Sequence, residues 1–416
     1  MLERVITELE ALQSDTPIKH RAAASIYPEG KHLYESQLAG YSRRRAKIAY
    51  TVTVPVCRGS FRALLLYDVA EEFDLVEMRK LIGGERPGRS PGFKLPAPDY
   101  VRFERPPVTE PCDPIQLTSG ETANASLRYF EYGVISLEFD MPFETQWTDL
   151  IALSNRWIWA GEVERRGPKT IQARLARLQP AIRKAYTEWL DEAYYVIHLS
   201  EVIEEDGRHP TGSELISRYG RELSQVIRGE NEPLSEVEQR EVLASSLSYY
   251  PSDLLVLGWL AALVYDTPEG ANPIIQLLEY ANTQLLEYRR YDEILTTVLK
   301  RAYAVLEDRG RISSRWRLSR EAAHLNQLRL DVTELTERAD NAIKFLSDMY
   351  YARAYRLAAV KVGAGDYRSL VDQKLRTAGE LYEFMVNEFR EARSFLLEVL
   401  VIVILIIELI PIFRGR

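Results

Sequence analysis

The segment with the densest set of chemically useful side chains reads LEYANTQLLEYRRYDEILTTVL, from Leu278 to Leu299. Amides, guanidinium groups and carboxylates that lie close together can bind a polar ligand. The members of this cluster are Asn282, Gln284, Glu287, Arg289, Arg290, Asp292 and Glu293. The cluster is therefore a candidate site for an enzyme or for a ligand-binding protein.

The same cluster also has a purely structural explanation. On a helix, residues 282 to 293 cover about three turns, so their side chains point in several directions. Glutamate and arginine side chains spaced three or four apart stabilise an exposed helical face by about 0.2–0.5 kcal/mol per pair without any ligand. We favour this explanation and keep the ligand site as the alternative.

A second candidate is the basic segment RGRISSRWRLSR, residues 309–320, in which cations surround Trp316. Such a segment could bind RNA or an anionic lipid surface. Its cations are Arg309, Arg311, Arg315, Arg317 and Arg320. As a connection between two helices, the segment could equally pair with neighbouring acidic residues. The net charge of −8 gives no support for nucleic-acid binding, so we do not expect nucleic acid as a partner.

Other kinds of chemistry lack the residues that they need. The five histidines are scattered at spacings that form no helical metal pair, and Cys57 and Cys112 form no CxxC motif. No Gly-Lys-Ser or Gly-Lys-Thr sequence is present, and Gly83-Gly84 follows a helical pattern, as a helix C-cap does. His198 lies in a strand pattern beside tyrosines, which is typical of a hydrogen-bonded core histidine. We predict no catalytic set, no metal site and no cofactor.

The elements that would position these residues are of mixed type. Runs of β-branched and alternating residues predict strands at Lys47–Arg58, Ala63–Tyr67, Leu127–Asp140 and Ala193–Ser200. Apolar residues at spacings of three and four predict helices at Leu75–Ile82, Thr148–Trp159, Ile171–Leu190, Ser213–Arg228, Ser235–Tyr249 and Ala271–Glu307. Prolines and glycines predict a long loop from Glu85 to Thr122, and Pro251–Asp266 could be strand or helix.

The predicted helix Ala271–Glu307 has two adjacent apolar rows, which indicate a wide buried face. We expect the polar row on its opposite side to be exposed to solvent. That row consists of Glu279, Thr283, Glu287, Arg290 and Glu293.

Helical patterns continue to the C-terminus. Gly363 and Gly365 separate two long patterns, which predicts a helical hairpin with loose, coiled-coil-like apolar spacing. The last run, FLLEVLVIVILIIELIPIF from Phe395 to Phe413, would extend about 28 Å as a helix, close to the thickness of a bilayer core. We predict a transmembrane helix with a small margin for insertion, because Glu408 is costly to bury in lipid. The alternative is a buried core helix or one seam of an oligomeric bundle.

The predicted fold class is α+β, a mixed body followed by long helices. We divide the chain into an N-terminal helix and loop at 1–40, an α+β body at 41–310, a helical hairpin stalk at 311–394 and a transmembrane helix at 395–413. The N-terminus has neither the basic region nor the long apolar stretch of an export signal. We therefore predict a single-pass membrane protein whose body faces the cytoplasm.

Several stretches resemble a family of unknown function. They are LEYANTQLLEYRRYDEILTTVL at 278–299, FEYGVISLEF at 130–139, YDVAEEFDLVEMRKLI at 67–82, and a glutamate-rich helix leading into the aliphatic C-terminal run. They resemble the domain-of-unknown-function family that includes the "required for meiotic nuclear division" proteins, over roughly residues 60–413. The resemblance implies a bacterial member that is a membrane-anchored α+β protein. It implies no catalytic residue.

From these features we expect a membrane-anchored, non-enzymatic scaffold or tether. We expect it to form a homo-oligomer through its helical stalk and to bind a protein partner. One alternative is an enzyme or ligand-binding protein that uses the polar cluster on helix 278–299. The other is a membrane-tethered RNA- or lipid-binding protein that uses the basic segment 309–320.

Overall fold

The computed structural model describes residues 55–83, 106–118, 120–307, 320, 323–334 and 349–414. The predicted N-terminal helix and loop at 1–40 lies outside these residues. Within them, eight strands form one sheet in the order β2-β3-β4-β1-β5-β8-β7-β6. The strands are β1 Val56–Phe73, β2 Val108–Gln116, β3 Thr122–Tyr129, β4 Val134–Gln146, β5 Ile182–Ile203, β6 Ser246–Leu247, β7 Leu254–Leu257 and β8 Ala261–Tyr265.

Strand β1 is the centre of this sheet. It pairs antiparallel with β4 on one side and with β5 on the other. All residues of β1 from 63 to 70 are buried, as expected of a strand that is covered on both faces. Alternate side chains serve opposite faces, so Leu65 enters one core while Leu64 and Leu66 enter the other.

Helices cover both faces of the sheet. The first face carries α1 Leu75–Ile82, α2 Trp147–Trp159, α3 Glu162–Leu178, α4 Gly212–Arg228 and α5 Glu236–Leu243. The second face carries α6 Pro268–Glu307, a helical segment α7 at 323–334, α8 Met349–Lys361 and α9 Ala364–Arg414. The mixed α+β class predicted from the sequence is confirmed, with one sheet between two helical layers.

At the predicted turn, α8 and α9 form a helical hairpin that lies along α6, and residues 335–348 of the predicted first arm lie outside the described residues. Gly363 adopts a left-handed conformation, φ 84°, between α8 and α9. Helix α9 then buries Val371, Ala378 and Met385, which recur every seven residues and join the same core as α6. Helix α6 is therefore enclosed between the sheet and the two arms of the hairpin.

Two element predictions were wrong because long-range strand pairing outweighed the local pattern. Residues 182–190, predicted to be helical, begin β5 and pair with β1 through Ile182 opposite Phe73 and Ala185 opposite Ala70. Part of the predicted loop after Glu85 is the strand β2. It contains two prolines and pairs with β3 alone, and the missing N–H groups are tolerated on such an edge strand.

The predicted transmembrane helix at 395–413 is wrong. Among the described residues, no helix is both long and apolar enough to cross a membrane. The exposed carboxyl group of Glu398 lies within the aliphatic run of this helix, and a carboxylate is costly to place in lipid. The membrane anchor and the single-pass localisation with a cytoplasm-facing body are corrected with it.

Gly133 makes the tight turn between β3 and β4, and we predict that it cannot be replaced. Its φ is +86°, and an added Cβ would lie 1.7 Å from the carbonyl oxygen of Ala70. Gly363 has a similar φ of +84° but has no atom within 4 Å of an added Cβ. We expect Gly363→Ala to cost about 1 kcal/mol from backbone conformation alone, and Gly133→Ala to cost at least about 2 kcal/mol more.

Urea unfolding of the two variants measures this difference directly. Equal losses in the free energy of unfolding would show that the contact between Gly133 and the backbone of β1 is not as close as described.

Candidate functional site

The polar row of α6 faces the sheet rather than the solvent. Glu279 is 2% exposed, Thr283 is fully buried and Glu287 is 5% exposed. Only Glu293, at the end of the row, keeps a mostly open side chain, at 57% exposure. The prediction of a solvent-exposed row is therefore wrong. The apolar rows of α6 pack against α8 and α9, and the polar row meets polar side chains that the sheet carries on the same face.

The first group of contacts is centred on Arg128 of β3. Its Nε donates to Glu279 Oε1 at 2.9 Å, and its Nη2 donates to Glu138 of β4. Arg62 of β1 also donates to Glu138, at 3.2 Å. Two arginines thus serve two carboxylates, which offsets much of the cost of removing these charges from water. Burial works against the charge on Arg128, but the two carboxylates still raise its pKa.

A hydroxyl pair lies one turn further along α6. Thr283 Oγ1 donates to the carbonyl oxygen of Tyr280 at 2.8 Å. A hydroxyl has one proton, so the 2.7 Å contact between Tyr132 and Thr283 has Tyr132 as its donor. This contact fixes the turn between β3 and β4 against α6.

The second group of charges contains an acid pair and a single arginine. Arg290 Nε lies 2.5 Å from Asp68 Oδ2 of β1, and Arg290 Nη2 donates to the carbonyl oxygen of Glu188 at 3.0 Å. The guanidinium group lies 4.4 Å from the ring centre of Tyr186, within the range of a cation–π contact. Asp68 Oδ1 and Glu287 Oε1 are both buried without a hydrogen-bond partner among the described residues.

Burial and the neighbouring charges determine which of these two carboxyl groups binds a proton more strongly. Burial raises the pKa of Asp68 to about 6, although Arg290 favours its charged form. Burial and the nearby Asp68 together hold the pKa of Glu287 well above its usual range. One arginine cannot neutralise two carboxylates, so Glu287 binds a proton more strongly than Asp68, and Asp68 is the ion-pair partner of Arg290. Neither side chain is open to a ligand unless α6 moves.

The predicted cluster is divided among several neighbours rather than brought together. Asn282 donates to the carbonyl oxygen of Leu278 in its own helix, and Gln284 accepts from Tyr355 of α8. Two further contacts lie in the second half of α6. Arg289 contacts Glu192 of β5, and Asp292 accepts from Lys374 of α9 at 2.5 Å. Of the seven predicted residues, the structure places Glu287 and Arg290 beside Asp68, brings Glu293 Oε2 to 3.7 Å from Arg290 Nη1, and places the other four elsewhere.

Sequence reasoning missed the sheet's contribution, which comes from Asp68, Arg128 and Glu138. The signal was available, because Asp68 interrupts the apolar run ALLLYDVA, and Glu138 lies within the strand run VISLEFD, whose other face is apolar. A charged residue inside a buried strand requires a partner of opposite charge. Of the basic segment, Arg320 is described and exposed. Arg309, Arg311, Arg315 and Arg317 lie outside the described residues.

The family model described as the N-terminal domain of uncharacterized protein MJ0711 matches residues 58–272, more than half of the 416-residue chain. The chain belongs to this family. The matched range contains Asp68, Arg128 and Glu138 and ends shortly after α6 begins. The function of the family is not assigned in its description, in agreement with the expectation of a family of unknown function.

Uncharacterized protein MJ0711 of Methanocaldococcus jannaschii is 20% identical over 188 residues, which cover 45% of this chain and 58% of that protein. The match thus spans little more than half the length of this relative. No solved structure matches the chain.

Protonation of Glu287 can be tested through stability. An acid whose pKa is raised by folding stabilises the protein below its unfolded pKa, and this stabilisation is lost as pH rises through the folded pKa. Glutamine at the same position cannot titrate. We therefore expect Glu287→Gln to become more stable relative to wild type as pH rises above about 4.5, by up to about 1.4 kcal/mol per pH unit.

Urea unfolding between pH 4.5 and 8 measures this difference, with Glu383→Gln, a change of an exposed glutamate on α9, as the matched control. The control should stay within about 0.5 kcal/mol of wild type throughout. A difference for Glu287→Gln that does not change with pH would mean that this carboxyl group is not protonated in the folded protein.

Proposed function

We propose that the protein is a non-enzymatic scaffold that assembles with copies of itself through the outer part of α9. This helix has 51 residues, from Ala364 to Arg414, and extends about 76 Å. It packs against α6 as far as Met385. Beyond it lies a stretch that we name the apolar arm, residues 397–407, in which every side chain is exposed.

The apolar arm is the observation that carries this proposal. Apart from Glu398, all of its residues are aliphatic, and their exposures lie between 42% and 59%. Successive residues on a helix are turned by about 100°, so the uninterrupted aliphatic residues 399–407 leave no polar face toward the water. A helix that is apolar on all sides is found buried.

Copies of the same chain are suited to cover it. A single neighbouring helix shields one side of the arm, whereas a bundle of three or more arms shields most of each. Identical chains supply arms of identical length and composition, and symmetric association is the usual form of soluble oligomers. Complete burial of ten half-exposed aliphatic side chains contributes about 10 kcal/mol per chain. This is comparable with the cost of association, about 4–15 kcal/mol.

The sheet and its helical layers would then be the part that the assembly displays. In this proposal the charged side chains of α6 hold the fold together, because they pair with neighbouring elements of the same chain. We also propose that the chain is a bacterial relative of the "required for meiotic nuclear division" proteins. This proposal rests on the four stretches that resemble that family.

Self-association through the apolar arm predicts a loss of assembly when polar groups are placed in it. We expect the double variant Ile402→Asn/Ile406→Asn of the full chain to sediment at a lower mass than wild type, because both amides would have to be buried in the bundle. The matched control is Val237→Asn/Leu330→Asn, which changes two aliphatic residues that are 69% and 57% exposed elsewhere.

Analytical ultracentrifugation of purified protein at several concentrations distinguishes the outcomes. The control should keep the wild-type mass. A wild-type chain that sediments as a monomer at all concentrations, or a double variant with the wild-type oligomeric mass, would contradict the proposal.

A further inference from the structure

A groove of about 550 Å³ lies on the other face of the sheet, between the first half of α3 and the strands beside it. Three cations line it within little more than one helical turn: Arg165, Arg166 and Lys169. Its volume is in the range of small-molecule sites in proteins. The groove does not touch the charge groups of α6, and all of its lining residues lie within the matched family domain.

Two of the charged groups in the groove bind each other. Glu162 Oε1 accepts from the backbone N–H and the hydroxyl of Thr118, both at 2.9 Å, and from Arg166 at 3.0 Å. Although partial burial opposes it, these hydrogen bonds hold the pKa of Glu162 below its usual value. The carboxylate is thus ionised and committed to its neighbours, and it neutralises one of the three cations.

The remaining cations are available to a ligand. Arg165 is exposed and donates from Nη1 to the carbonyl oxygen of Ala160, and its charge has no counter-ion within the described part of the chain. Lys169 is exposed and makes no ion pair with any residue that the structure describes. Thr170 lines the same wall, and its hydroxyl donates to the carbonyl oxygen of Arg166 at 3.1 Å. Two uncompensated cations close together form an environment that favours a phosphate group.

The groove also has an apolar part, formed by Ile115 and Phe139. Inorganic phosphate would leave this surface uncovered. A molecule that joins a phosphate to a flat apolar group would use both parts of the groove, as ligands of mixed polarity do. We propose that the groove binds an organic phosphate of the nucleotide class.

The rest of α3 argues for a small ligand rather than a nucleic-acid strand. A strand needs a row of free cations that follows its backbone. The next cations along the helix are Arg174 and Arg177, and both already bind Glu110, at 3.2 and 2.8 Å. The available charge is therefore confined to the groove.

Isothermal titration of the full chain with AMP, inorganic phosphate and a 12-nucleotide RNA tests this proposal. We expect AMP to bind more tightly than inorganic phosphate, and Lys169→Gln to weaken AMP binding about tenfold. Lys169→Arg should retain most of the affinity because it keeps the charge. Lys300→Gln, a change of an exposed lysine on α6, should bind AMP as wild type does.

Both lysine variants concern exposed side chains, so their unfolding curves should match that of wild type. Absence of AMP binding at millimolar concentration would overturn the proposal. So would equal affinities of Lys169→Gln and Lys300→Gln, or binding of the RNA without binding of AMP.

Discussion

The polar row of α6 cannot reach water from Glu279 to Glu287, because the sheet lies on one side of the helix and α8 and α9 lie on the others. Every charge in that row must therefore find its partner within the fold. Arg128 of β3 binds Glu279, and Asp68 of β1 binds Arg290. These two pairs set the position of α6 along the sheet and its rotation about its own axis. The hairpin of α8 and α9 depends on both, since α6 is the surface on which it packs.

The two ion pairs join the part of the chain that the family model matches to the long helices that follow it. The strands that supply Asp68 and Arg128 lie within residues 58–272, the range matched by the family model, whereas Glu279 and Arg290 lie beyond it. Replacement of a buried pair by apolar residues is often neutral, but loss of one partner is strongly destabilising. The pairs therefore specify how the long helices dock more than they add to the net free energy of folding.

The sequence predicted elements whose signals are local. Gly83 ends α1 with φ 71°, as predicted, and Asp74 caps the start of that helix by accepting from two backbone N–H groups at 3.1 Å. The start of β5 was missed because its strand state depends on pairing with β1, far away in sequence. The orientation of α6 was missed for a related reason. Helical periodicity finds the polar row, but only the sheet shows that charged partners, and not water, face it.

The position of α6 on the sheet depends on the coupling between Arg290 and Asp68, and a double-mutant cycle measures this coupling most directly. The free energy of unfolding would be determined for wild type, Asp68→Asn, Arg290→Met and the double variant. A buried pair predicts that Arg290→Met costs about 3–5 kcal/mol and that the double variant recovers part of that loss, with a coupling energy of at least about 2 kcal/mol. Losses that add to within about 0.5 kcal/mol would show that the two side chains do not interact, and would contradict the proposed seating of α6 on the sheet.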